Sequence, residues 1–139
     1  MTDIQIAAFV CYALGTLVLI GFSVPYLTRS EFMPYQREVL GMPWEDVDTR
    51  LQVLLIGLMR ATGGLALATG LAMLLILLVP YRAGQPWASF ALAAIAVAAC
   101  AFSLSSMRYV KRVTAARPPF ASPLAVLAFS GLGFALSLV

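Results

Sequence analysis

The sequence predicts an all-α membrane protein: four transmembrane helices in an antiparallel bundle, with a short interfacial helix in the first loop. Three observations predict it. The chain is 62% hydrophobic and only 11% charged, whereas a soluble domain is nearer one-quarter charged. Residues 51–79 form an apolar run with a single charge inside it, Arg60, more than the ~20 residues that cross a bilayer core. Other apolar stretches at 4–27, 87–107 and 122–138 are separated by segments that collect nearly all the charges. Residues 1–139 read as one four-span membrane domain.

The first span, 4–27, follows Met1-Thr2-Asp3, which has no basic segment of the kind that opens a cleavable signal peptide. Gly15 and Gly21 favour close helix approach, and Pro25 and Tyr26 mark its end near the headgroups. Loop 28–50 is the long connection. Within it Pro34 starts and Gly41 stops a short helix over 34–40. Its apolar side, with Phe32 and Met33 before it, predicts that it lies on the membrane surface.

Pro43 is read as restarting the chain at the first turn of the second span. Glu45, Asp46 and Asp48 then meet the positive end of that helix, and Trp44 suits an interface anchor. The run 51–79 exceeds a bilayer core, so it tilts or projects. Gly57, Ala61, Gly64, Ala68 and Ala72 make a row of small residues expected to admit a neighbouring helix. Gly63-Gly64 marks a bend or a tight contact. Residues 80–86 form a turn. The third span, 87–107, is rich in Ala and Ser and is expected to be thin and centrally packed. Loop 108–121 is basic. Ser122 is read as an N-cap with Pro123 behind it, opening the last span.

Lys and Arg set the orientation. Arg29, Arg37, Arg50, Arg108, Lys111, Arg112 and Arg117 fall in loops 28–50 and 108–121, against Arg82 alone on the other side. Both loops are therefore expected in the cytoplasm of a bacterial inner membrane, with both termini outside. Acids in the first loop and bases in the third predict ion pairs between the two, each worth about 0–1 kcal/mol if exposed.

The chain has no histidine. This removes the commonest metal ligand and the usual proton shuttle, and argues against a His-ligated haem. Cys11 and Cys100 lie in apolar segments without CxxC spacing and read as small buried hydrophobes. No metal or cofactor is expected, and no basic patch with interleaved aromatics suggests nucleic acid. No Asp or Glu lies within a span except at the edges, which speaks against a proton-coupled exporter. No selectivity filter or pair of broken helices points to a channel.

Arg60 is the one charged side chain inside a span, and two readings stay open. Facing the interior, its forked guanidinium would bind the phosphate or carboxylate of an amphiphile, with room left by Gly63 and Gly64 and with Tyr12 on the wall. Counting back about 20 residues from Val79 instead puts Arg60 near the cytoplasmic boundary, where it would snorkel to headgroups or pair with Glu31, Glu38 or Glu45. Tyr26 and Tyr109, like Tyr12, are expected near interfaces or a cavity.

The stretch LMRATGGLALATGLA, with Arg60, Gly63, Gly64 and Gly70, resembles the DoxX-like group of small four-helix bacterial membrane proteins. That resemblance covers one helix by motif and the remainder by hydropathy. It implies a four-helix bundle and carries no uniform activity. The MAPEG membrane enzymes are similar in length and span number, but their Arg/Asn/Glu signature is not matched. The expected function is a non-enzymatic bundle that binds membrane lipids or packs against a second copy or another membrane protein. The alternative is an enzyme or carrier for an anionic amphiphile anchored by Arg60.

Overall fold

The computed structural model describes residues 2–139, and their regular structure is helical. The elements are α1 (Asp3–Thr28), α2 (Pro34–Leu40), a 3-10 turn (Trp44–Asp46), α3 (Thr49–Ile76) continuing through a π-helical turn (Leu77–Tyr81), α4 (Trp87–Val113) and α5 (Ala121–Ser137). Three helical stretches, Asp3–Thr28, Thr49–Tyr81 and Trp87–Val113, are long and apolar enough to cross a membrane. Ala121–Ser137 is a shorter apolar helix.

The organising helix is α1. Ala8, Tyr12, Gly15, Thr16, Leu19, Ser23 and Tyr26 are buried on one face at helical spacing. α1 packs along both α5 and α3, while α4 packs on α5 and touches α3 over a shorter stretch. This corrects the expectation that the Ala-rich third span is central. Its small residues run all round the helix, so Phe90, Val97 and Phe102 share its exposed side with Ala94, Ala98 and Ala101. α1 instead gathers its small and hydroxyl residues on one face, where they let neighbours close in.

Glycines set the close contacts. A Cβ on Gly15 would sit 3.0 Å from Ser130 Oγ, and one on Gly133 would sit 3.1 Å from the Tyr12 ring, so α1 and α5 run in opposite directions. A Cβ on Gly63 would lie 2.9 Å from both Tyr26 and Leu27, and one on Gly70 2.5 Å from Ile20. The approach of α3 to α1 therefore uses Gly63 and Gly70, two helical turns apart. The row Gly57, Ala61, Gly64, Ala68 and Ala72 is exposed, with open space at Gly57 and Gly64. The two rows lie on different faces of one helix; Met59 and Met73 share the buried face with Gly63 and Gly70, while Leu58, Leu65 and Leu75 stay exposed. Gly21 likewise faces open space.

Several boundaries differ from the sequence reading. α4 runs on to Val113 rather than stopping near 107, so Arg108, Lys111 and Arg112 are helical. These are good helix formers, and the last two also suit the negative end of the helix. α5 opens at Ala121 with Phe120 at the cap position, so Ser122 is not an N-cap. Pro43 precedes the 3-10 turn that holds Glu45 and Asp46, and α3 starts later. Its cap is Asp48, whose carboxylate accepts from the Arg50 N–H at 2.9 Å and the Leu51 N–H at 3.4 Å. Asp48→Ala is expected to cost about 1 kcal/mol, read as a lowered unfolding midpoint in micelles.

α2 occupies 34–40 as the sequence indicates, ended by Gly41 at φ +67°, a conformation other residues adopt at a cost. The first loop is ordered by its own core. Phe32 and Val47 are buried with Tyr26 and Met59, and Trp44 meets Phe32 edge-on at 5.0 Å. At the opposite end Pro80 cannot donate to the helical ladder, and the helix widens there into the π turn. Gly84, at φ +73°, then turns the chain toward α4.

Candidate functional site: a cavity between the long helices

A cavity of about 240 Å³ lies where α1, α3, α4 and α5 converge. Leu19 and Phe22 come from α1, Ala66 and Leu65 from α3, Ala99 from α4, and Pro123 and Val126 from α5. Among these apolar walls stand Thr62, Thr69, Ser103, Ser122 and the Cys100 thiol.

The location follows from packing. One core, built on Tyr12, Leu19, Met73, Leu77, Leu92 and Val126, fills the half toward the α3–α4 turn. The other is that of the first loop. Between them α3 and α4 carry small residues on facing surfaces, and side chains do not fill the space. Thr62 and Leu65 line the cavity yet are exposed, Leu65 by 71%. The cavity therefore opens past α3 to the outside of the molecule.

Its polarity is low. Thr62 Oγ1 donates to the Leu58 carbonyl at 2.9 Å, Thr69 Oγ1 to Leu65 at 2.8 Å, and Ser103 Oγ to Ala99 at 3.0 Å. These hydroxyls spend their protons on their own helices and offer lone pairs to a guest. Among the described residues no acid or base lines the cavity. Such a wall suits the apolar body of a ligand, with a few acceptors to orient it.

Arg60 is exposed and does not line this cavity. At 100° per residue it lies about 160° round α3 from Thr62. Gly63, one turn on, meets Ser23, Tyr26 and Leu27 just before α1 ends at Thr28, so Arg60 stands level with the end of α1.

Gly63 is buried against α1, Gly64 is exposed, and Tyr12 is wholly buried in the core near the α3–α4 turn. The Tyr12 hydroxyl donates to the Ser89 carbonyl at 3.2 Å, and its ring meets Tyr81 edge-on at 5.6 Å. The fold does not bring these four residues together. Glu38 accepts from the backbone N–H of Arg117 at 2.8 Å, so the first loop is tied to the third by a backbone hydrogen bond and not by the expected ion pair, while Glu31 and Glu45 are exposed. Tyr26 is buried with its hydroxyl 3.3 Å from that of Tyr35, and Tyr109 is exposed.

No family model, no curated protein and no solved structure matches this chain. The site thus rests on its own geometry. The sequence reading takes Ser122 as an N-cap and Ser103 as part of the Ala- and Ser-rich third span, and does not single out Thr62 or Thr69. The usable signal was the spacing of Thr62 and Thr69 with Ala66 between them, which places two hydroxyls on one face of α3.

Proposed function

We propose that the chain is a four-span inner-membrane protein that holds the apolar part of an amphiphile between its helices, without acting on it chemically. The observation that carries this is the cavity itself: reached past α3, walled by apolar groups, and dotted with hydroxyls rather than charges. The opposed directions of α1 against α3 and α5 support an antiparallel bundle, the plan implied by the DoxX-like resemblance. α5, at 17 residues, spans about 26 Å, near the lower limit for a crossing helix. With loops 28–50 and 108–121 cytoplasmic and both termini outside, the opening past α3 faces lipid. An amphiphile would enter from the bilayer rather than from water. The Arg60-anchored enzyme or carrier has less support, because the guanidinium is on another face from the cavity.

Protein extracted in mild detergent is expected to retain an amphiphile visible by native mass spectrometry. Ala66→Leu should fill the space and expel it while the fold survives. In a Cys11→Ser background, a small apolar thiol reagent should label Cys100 faster in Ala66→Leu-free protein stripped of ligand than in ligand-loaded protein. An Ala66→Leu variant retaining its full complement, with Cys100 labelling indifferent to ligand, would remove the proposal.

A further inference from the structure

The outer face of the α4–α5 pair carries a second feature. An open groove runs along it, lined by Val97, Ala101 and Leu104 of α4 and Leu127 of α5, and ending at Arg108, Tyr109 and Arg112. It shares Val97 and Leu127 with an adjoining, almost wholly apolar groove that reaches Ala93, Gly131 and Phe134. From Ala93 to Arg108 the path along α4 is about 22 Å. That exceeds the roughly 15 Å of hydrocarbon in one leaflet.

The cationic end is specific. Arg108 and Arg112 are one helical turn apart, so they lie on one face. Both are exposed, and among the described residues no carboxylate lines the groove. Lys111, between them in sequence, is engaged elsewhere, with its Nζ 5.6 Å from the Phe120 ring centroid. Glu38, the acid held to the third loop, accepts from the Arg117 backbone. A paired guanidinium site therefore tops a chain-length apolar trough, with Tyr109 beside it at headgroup depth.

We propose that this groove binds one anionic phospholipid of the cytoplasmic leaflet. Its phosphate sits between Arg108 and Arg112, and one acyl chain lies along Val97, Ala101 and Leu104. Two forked guanidiniums match phosphate oxygens bidentately. Anionic headgroups concentrate on the face where the positive-inside rule puts these arginines. The proposal rests on the membrane reading above but not on the inter-helix cavity, whose residues are different.

The test is phosphatidylglycerol titrated into nanodiscs of phosphatidylcholine holding the full chain, with bound lipid counted by native mass spectrometry. Wild type is expected to retain phosphatidylglycerol in preference to phosphatidylcholine. Arg108→Gln and Arg112→Gln should each weaken retention about five-fold, and the pair about thirty-fold. Ala101→Trp, which leaves both arginines in place, should also displace the lipid by filling the trough. Arg82→Gln, at the other end of the molecule, should change nothing. Equal retention of the two lipids, an Arg108→Gln/Arg112→Gln variant that behaves as wild type, or displacement by inorganic phosphate would each overturn the proposal. So would disulfide trapping of an Ala101→Cys variant as a dimer under conditions where no lipid is retained. Ala66→Leu fails or succeeds independently, so the two sites are separable; a chain that stays soluble without amphiphile would remove both.

Discussion

Gly63→Ala should destabilise the protein by about 1–3 kcal/mol, while Gly64→Ala should leave it unchanged or up to about 1 kcal/mol more stable. The two glycines are adjacent, and composition treats them alike. The structure does not. An added methyl at Gly63 would stand 2.9 Å from Leu27 Cγ and Tyr26 Cβ and 3.1 Å from the Ser23 carbonyl. The last of these is backbone, so relief requires α1 and α3 to separate. An added methyl at Gly64 meets nothing within 4 Å and only reduces the freedom of the unfolded chain. Gly70→Ala should follow Gly63→Ala in sign, since its methyl would press on Ile20. Unfolding midpoints in micelles measure all three. Equal losses at Gly63 and Gly64 would mean that α3 presents another face to α1.

Tyr12→Ala should be the most damaging single truncation, at about 3–5 kcal/mol. The ring is fully buried, lies against Gly133, meets Tyr81, and reaches across to α4 through its hydroxyl. Removing it opens a void where α1, α4, α5 and the π turn meet. Tyr12→Phe keeps the packing and loses only the bond to the Ser89 carbonyl, for about 1 kcal/mol. The gap between the two variants separates packing from hydrogen bonding. A Tyr12→Phe loss as large as that of Tyr12→Ala would place the main contribution in the hydroxyl.

The helices were legible in the sequence because long apolar runs broken by Pro, Gly and charge leave few alternatives. Pro34 and Gly41 bound α2 as their backbone preferences require. Partnering was not legible. Small residues lie on more than one face of α3 and α4, and hydropathy alone does not say which face turns inward in a chain that is apolar all round. Gly63 and Gly70, with Met59 and Met73, form the buried face of α3, while the row through Gly57 and Gly64 stays exposed. The site was missed for a related reason. Arg60 drew attention as a lone charge, but a charge at the level of the end of α1 needs no internal partner. The cavity is made by side chains too small to fill it, and absent volume leaves no mark in a sequence until the helices are assembled.

The apolar helices are of unequal length. α5 has 17 residues against 28 in α3 before its π turn. Set in a hydrocarbon slab of ~30 Å, the short one falls a few ångströms below the slab thickness, and leaflets adjust to such a deficit by compressing locally. On the four-span reading proposed above, the trough between α4 and α5 lies along that thinned flank. Molecules with shorter tails relieve the compression, so boundary composition there should be enriched in them by length as well as by headgroup charge.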